Sequence, residues 1–172
     1  MTTKLALAIV CGTRPEIIKL APLYHALRTT GWADVKWIHT GQHADMADRM
    51  LECFDIEPDI RLDRPGTTLE EFSTACRSQL GAVMASQRWD MCIVQGDTES
   101  AFLGALCAFY RQVPVAHVEA GLGFLELALQ DLDGAEPILH ITHSPEHGVP
   151  ILRRGTVIAS ARGIDVGMAL AP

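Results

Sequence analysis

Apolar residues near the start of the chain form first a continuous run and then a helical repeat. Residues 5–10 are short, continuously apolar and closed by Gly12, which predicts a strand buried on both faces of a parallel sheet. From Ile17 to Leu27 the apolar side chains recur every three or four residues and predict a helix with one apolar face. Pro15 suits the first turn of that helix, where its missing N–H would have no partner. This segment therefore predicts a strand, a tight turn and a helix.

The same alternation continues along the chain. Further strands are predicted at 35–40, 60–62, 91–95 and 114–118, and further helices at 45–54, 68–88 and 99–110. Thr68 and Glu71 match a capping box at the start of the third helix. Strands that alternate with helices in this way are typical of the α/β class, and they predict a Rossmann-like doubly wound parallel sheet.

Polar side chains follow the predicted strands at the points where the strands end. They are Arg14 and Glu16, Gln42 and His43, Asp97 and Thr98, and Glu119. In open α/β sheets ligands bind outside the carboxyl ends of the strands, so together these residues favour a site at one edge. Each also has an ordinary structural interpretation. Asp97 and Thr98 are good helix N-caps, and Glu119 suits a solvated loop.

The turn after the first strand has the features of an anion site. A helix N-terminus presents backbone amides and the positive end of a dipole. Arg14 and Lys19 add two cationic side chains at the same end of the helix. We therefore expect this corner to bind a phosphate or a similar group.

Length, composition and charge exclude several classes of function. A chain of 172 residues with 48% hydrophobic content is long enough for one ordinary domain with a real core. It has no apolar run of membrane-spanning length and no secretion leader, so the expected location is the cytoplasm, away from membranes. The net charge of −7 argues against general nucleic-acid binding. The five cysteines are odd in number and widely spaced, which favours buried thiols over disulfides or a metal site.

The character of the sequence changes after Leu122. Residues 123–172 contain no Lys, Cys, Trp or Tyr, and their short apolar pieces are interrupted by glycine and proline. A short helix at 124–132 and a short strand at 156–159 are the elements expected there. Three histidines, at 140, 143 and 147, have a spacing compatible with one helical face, but Pro145 lies between them. Exposed loop histidines are the preferred interpretation.

The motifs of the first 122 residues resemble those of the N-terminal domain of the non-hydrolysing UDP-N-acetylglucosamine 2-epimerases. The matching segments are CGTRPEIIKLAPL, TGQHADM with LECFDIEPDIRL, and VQGDTESAFLGALCAFYRQVPVAHVEAGL. The resemblance implies half of a glycosyltransferase-B-like two-domain enzyme with the nucleotide sugar between the domains. It further implies interconversion of UDP-N-acetylglucosamine and UDP-N-acetylmannosamine, by elimination and re-addition of UDP, without a cofactor. A homodimer is left open.

Carried over by motif, the family's functional residues are Arg14 and Lys19 for substrate binding and Asp97 and Glu119 for catalysis. No metal ligand is implied. These residue types suit the chemistry, because proton removal at C2 needs a carboxylate base. Expulsion of a diphosphate needs cations or amide dipoles near the leaving oxygen. Which carboxylate acts at C2 stays open.

The end of the chain departs from the family pattern. The family continues with Arg after EAGL and carries a Pro-Glu-Glu motif, whereas Gly123 follows here and the motif is missing. We therefore predict an N-terminal epimerase domain at 1–122 and a divergent or truncated tail at 123–172, inactive alone. Two alternatives are a non-catalytic nucleotide-sugar-binding module and half of a split glycosyltransferase-like enzyme.

Overall fold

The computed structural model describes residues 4–118 and three short strands beyond them. The strands are β1 (Leu5–Cys11), β2 (Ala33–His39), β3 (Ile60–Arg61), β4 (Met91–Gln95), β5 (Val115–Val118), β6 (Leu139–Ile141), β7 (Leu152–Arg153) and β8 (Thr156–Val157). The helices are α1 (Arg14–Thr29), α2 (Ala44–Cys53), α3 (Leu69–Ser86) and α4 (Glu99–Phe109).

The main sheet is parallel throughout the part of the chain that is described. Its strand order is β3-β2-β1-β4-β5-β6, and every neighbouring pair runs in the same direction. This is the order of the doubly wound Rossmann fold, in which the chain leaves β1 in one direction and returns to the other side at β4. The predicted fold class is confirmed.

Helices cover both faces of this sheet and explain the uninterrupted apolar strands. One core lies between the sheet and α1 and α2, and contains Leu7, Ile9 and Trp37. The other lies between the sheet and α3 and α4, and contains Ala8 and Val10. Consecutive residues of β1 thus enter opposite cores, as the alternation of side chains along a strand requires.

Part of the chain beyond residue 122 continues the sheet. β6 pairs in parallel with β5, with Ala116 opposite Leu139 and Val118 opposite Ile141. His140 therefore lies in a strand, and the interpretation of it as a loop residue is wrong. β7 and β8 form a separate antiparallel pair, and β8 occupies the first half of the strand predicted at 156–159. The helix expected at 124–132, and His143 and His147, lie outside the described residues.

Small differences at the element ends have local causes. α3 ends at Ser86 instead of Arg88, and the indole N–H of Trp89 donates to the Val83 carbonyl at 3.2 Å.

All five cysteines are free thiols; Cys53 is exposed and the other four are buried.

Candidate functional site

An open cleft of about 900 Å³ lies at the carboxyl edge of the sheet. Its walls are formed by the loops after β1, β2 and β4 and by the N-terminal parts of all four helices. Its lining residues are Thr13, Arg14, Pro15, Ile18, Lys19, Gln42, His43, Met46, Leu69, Asp97, Thr98 and Glu99. Parallel strands end at this edge, which is where the fold class binds ligands.

The structure brings three of the four predicted site residues together. Arg14 and Lys19 reach the cleft from α1, and Asp97 reaches it from the loop after β4. All three side chains are exposed. Two cations and one carboxylate therefore line the same space, although 78 positions separate Lys19 from Asp97 in the sequence. Glu119, the fourth predicted residue, lies outside the described residues.

Glu16, also named as a polar residue of this edge, is completely buried below the cleft. One carboxylate oxygen, Oε2, accepts the backbone N–H groups of Gly12 at 2.8 Å and Thr13 at 2.6 Å. The other, Oε1, accepts the hydroxyl of Thr98 at 2.5 Å. The sequence predicted free amides at this helix N-terminus, but the amides of Gly12 and Thr13 are occupied by a side chain of the protein itself.

The surroundings of Glu16 act on its ionisation in opposite directions. Burial raises the pKa of this carboxyl above its ordinary value, because the charged form loses its hydration. Hydrogen bonds from Thr98, Gly12 and Thr13 lower the pKa and offset part of that effect. Burial is the larger influence, so the protonated form gains relative to an exposed glutamate.

The loop that carries Asp97 is held on both sides. Thr98 is the N-cap of α4 and accepts the Ala101 amide at 3.1 Å, while its own proton goes to Glu16. On the other side, Nε2 of His117 in β5 donates to the Gly96 carbonyl at 2.8 Å. A carbonyl can only accept, so this bond requires the tautomer with the proton on Nε2.

A second buried polar cluster connects the loop after β2 to the start of α4. The side-chain oxygen of Gln42 accepts the backbone amide of Ser100 at 2.9 Å and its hydroxyl at 2.6 Å. Thr40 Oγ1 lies 2.7 Å from Ser100 Oγ. A Cβ on Gly12 would lie 1.8 Å from Thr40 Oγ1, so only glycine allows this approach. The Arg64 guanidinium donates to the backbone carbonyl of Gln42.

The cleft can therefore hold an anion beside a carboxylate. Its cations and Asp97 are exposed above a base of buried hydrogen bonds, and Ile18, Met46 and Leu69 add an apolar wall. The sequence did not predict this wall, because apolar residues within a predicted helix give no sign of whether they face a cleft. Sequence reasoning also missed Thr40, Ser100 and the role of Glu16, although Thr13 and Glu16 carry the capping-box spacing that identified the start of α3.

Two further results bear on other kinds of site. Among residues 4–118 and the three short strands beyond, no group of three or more His, Cys, Asp or Glu side chains could hold a metal ion. Within the same part of the chain, none of the helices is long and apolar enough to cross a membrane.

Comparison with known proteins decides the family. The family model described as UDP-N-acetylglucosamine 2-epimerase matches residues 25–130, which is more than half of the chain. The chain belongs to this family. The match agrees with the resemblance drawn from the motifs and includes the loop of Asp97.

Curated relatives show the same similarity over part of their length. The UDP-N-acetylglucosamine 2-epimerase of Escherichia coli K12 is 43% identical over 115 residues, which are 66% of this chain and 31% of the relative. The protein of the same name from Neisseria meningitidis is 40% identical over 115 residues, again 31% of its length. The chain thus spans about a third of the curated relatives it matches.

Solved structures of the family have the same fold. The S. aureus MnaA-UDP co-structure superposes with a TM-score of 0.62 at 42% identity, covering 70% of this chain and 31% of that one. The Neisseria meningitidis UDP-GlcNAc 2-epimerase bound to UDP-GlcNAc superposes with a TM-score of 0.62 at 36% identity, covering 73% and 34%.

Proposed function

We propose that this chain supplies the anion-binding half of a UDP-N-acetylglucosamine 2-epimerase site. The observation that carries the proposal is the convergence of Arg14 and Lys19 from α1 and Asp97 from the loop after β4 on one cleft. Family membership supports it, as do relatives whose structures contain UDP or UDP-N-acetylglucosamine.

In this proposal the two cations bind the diphosphate. Arg14 and Lys19 offset the charge that develops on the leaving oxygen when UDP is expelled. Asp97, together with Glu119, transfers the proton at C2. Loss of the C2 proton and of UDP from C1 leaves a double bond between C1 and C2. UDP then adds back to C1 and a proton returns to the opposite face of C2, which interconverts the N-acetylglucosamine and N-acetylmannosamine forms. The division at residue 122, a homodimer and a cytoplasmic location stay predictions from the sequence.

Binding is tested by replacing one of the two cations that line the cleft. We expect Lys19→Ala to weaken UDP binding by about 1–3 kcal/mol, the scale of a charge-assisted hydrogen bond. Titration calorimetry at low salt measures this change directly. Lys4→Ala is the matched control, because Lys4 is an exposed lysine just before β1, at the opposite edge of the sheet. Equal UDP affinity in the two variants would contradict the assigned role of Lys19.

Turnover distinguishes the proposal from the non-catalytic alternative. Elimination needs the sugar and diphosphate held in one orientation with water excluded, and the described cleft is open. We therefore expect the 172-residue chain to bind UDP without epimerising the sugar nucleotide. Incubation with UDP-N-acetylglucosamine in deuterated water follows inversion and deuterium uptake at C2. Turnover at about 1 per second or faster would show that these residues contain a complete active site.

A chain that takes up deuterium only when the remaining part of a family member is added would support the epimerase assignment. Binding without deuterium uptake under the same conditions would favour the non-catalytic module.

A further inference from the structure

Glu16 has an arrangement that none of the proposed binding or catalytic roles uses. Its side chain is fully buried, so it does not meet a ligand in the cleft. Both of its oxygens are nevertheless occupied by groups from the two loops that carry Arg14 and Asp97. A buried carboxylate costs free energy to desolvate, and these hydrogen bonds offset part of that cost.

The bond between Glu16 and Thr98 directly connects the start of α1 to the loop that carries Asp97. It joins residues 82 positions apart at 2.5 Å, from the third residue of α1 to the N-cap of α4. Thr98 directly follows Asp97, and Arg14 directly follows Thr13, whose amide Glu16 binds. Each end of the connection is therefore one residue from a side chain that lines the cleft.

We propose that Glu16 is the positioning residue of the cleft, and that through Thr98 it sets the distance between the Arg14 and Asp97 loops. The diphosphate and the reacting carbon would be held by these two loops respectively, so a fixed separation is what the reaction needs. This inference rests on the proposed function for its ligand and on the buried contacts for its geometry.

The experiment separates this connection from the ordinary capping role of Thr98. Thr98→Val removes the hydroxyl that binds Glu16 and also removes the cap of α4. Thr68→Val is the matched control, because Thr68 caps α3 in the same way but its glutamate bonds only locally. Glu16→Gln and the double variant with Thr98→Val complete a cycle, and Thr98→Ser restores the hydroxyl.

Two readouts are taken on the full 172-residue chain. Amide relaxation by NMR reports the order of Gly96 and Asp97, and titration with UDP reports affinity. We expect Thr98→Val and Glu16→Gln each to lower the order of Asp97 and to weaken UDP binding about tenfold. The double variant should be little weaker than Thr98→Val alone, because a change at Glu16 cannot alter a bond whose hydroxyl is already absent. Thr98→Ser and Thr68→Val should stay within about twofold of the parent chain.

The outcomes separate the two proposals. If the parent chain does not bind UDP, the proposed function fails, and the order of Asp97 still decides the role of Glu16. If the parent chain binds UDP but Thr98→Val and Thr68→Val have equal affinity and unchanged order at Asp97, the positioning role is wrong. Should Glu16→Gln fail to fold, the comparison of Thr98→Val, Thr98→Ser and Thr68→Val decides alone.

Discussion

Two glutamates of this chain occupy the same position in the same local motif but have different surroundings. Glu16 and Glu71 are each the third residue of a helix, three positions after a threonine N-cap. Glu71 is exposed and bonds to the amides of Thr67 and Thr68, at 2.8 and 3.0 Å, within its own turn. Glu16 is buried and reaches Thr98 on another loop.

This difference shows how tertiary contacts change the use of a local motif. The local bonds lower the pKa of Glu71, because amides at the helix start favour the charged form. Burial raises the pKa of Glu16 despite similar bonds. The same spacing thus caps the start of a solvated helix in one place and connects two loops of a cleft in the other.

The largest expected effect comes from removing the buried member of the pair. Glu16→Ala leaves the buried amides of Gly12 and Thr13 and the half-buried hydroxyl of Thr98 without their acceptor. We expect the free energy of unfolding to fall by about 4 kcal/mol, since each unsatisfied buried donor costs on the order of 1–3 kcal/mol. Urea denaturation at pH 7 measures the change. Glu57→Ala, at an exposed loop position, is the control. An equally small loss of stability in both variants would contradict the stabilising role of the buried Glu16.

A second buried ionisable group, His39, tests whether burial also determines how stability changes with pH at the carboxyl edge of the sheet. His39 at the end of β2 is buried, and neither ring nitrogen has a hydrogen-bond partner among the described residues. Burial and, to a lesser degree, the Arg61 guanidinium lower its pKa from 6.5 to about 4, while Asp48 opposes them.

The unfolded chain protonates His39 at a higher pH than the folded chain does. The stability that a neutral His39 contributes is therefore fully present above pH 6.5 and is lost as the pH falls towards 4. The loss attributable to His39 should be about 3 kcal/mol. The measurement is the unfolding free energy of the parent chain and of His39→Leu between pH 7 and 4. Parallel curves for the two proteins would contradict the assignment.

A smaller effect is expected at the solvated helix start. Thr68→Ala removes the N-cap of α3, and the free energy of unfolding should fall by about 1 kcal/mol, the usual cost of losing such a cap. Thr68→Ser keeps the hydroxyl and should restore most of that stability. A loss as large as that of Glu16→Ala would mean that the exposed motif also supports tertiary structure.

The finest test is the sign of the pH dependence of the two glutamates. Glu16 has a raised pKa, so its contribution to stability is greatest at low pH and decreases as the pH rises through the window between 4.5 and its folded pKa. Glu71 has a lowered pKa, so its contribution is present above pH 4.5 and is lost as the pH falls.

Unfolding of Glu16→Gln and Glu71→Gln, each compared with the parent chain from pH 3 to 7, should therefore give differences of opposite slope. Slopes of the same sign would show that hydrogen bonding, and not burial, dominates at Glu16.

Much of the fold could be predicted because its causes are local or periodic. The apolar run of 5–10 needs a sheet covered on both faces, and the structure provides two cores for alternate residues of β1. Thr68 and Glu71 identified the start of α3. The edge at which Arg14, Lys19 and Asp97 meet follows from strand direction, since parallel strands place their carboxyl ends together.

The remaining features depend on pairs of residues that no periodicity relates. Gln42 binds Ser100 across 58 positions, and β6 joins the sheet after a segment without strand signals. Such contacts exist only once the sheet order has placed the loops side by side. By itself the sequence determined the α/β class, the strand edge that carries the site and the cations near it. Only the tertiary structure decided whether a capping-box glutamate is exposed, like Glu71, or connects two loops, like Glu16. The physical reason is that burial depends on the residues that pack around a side chain.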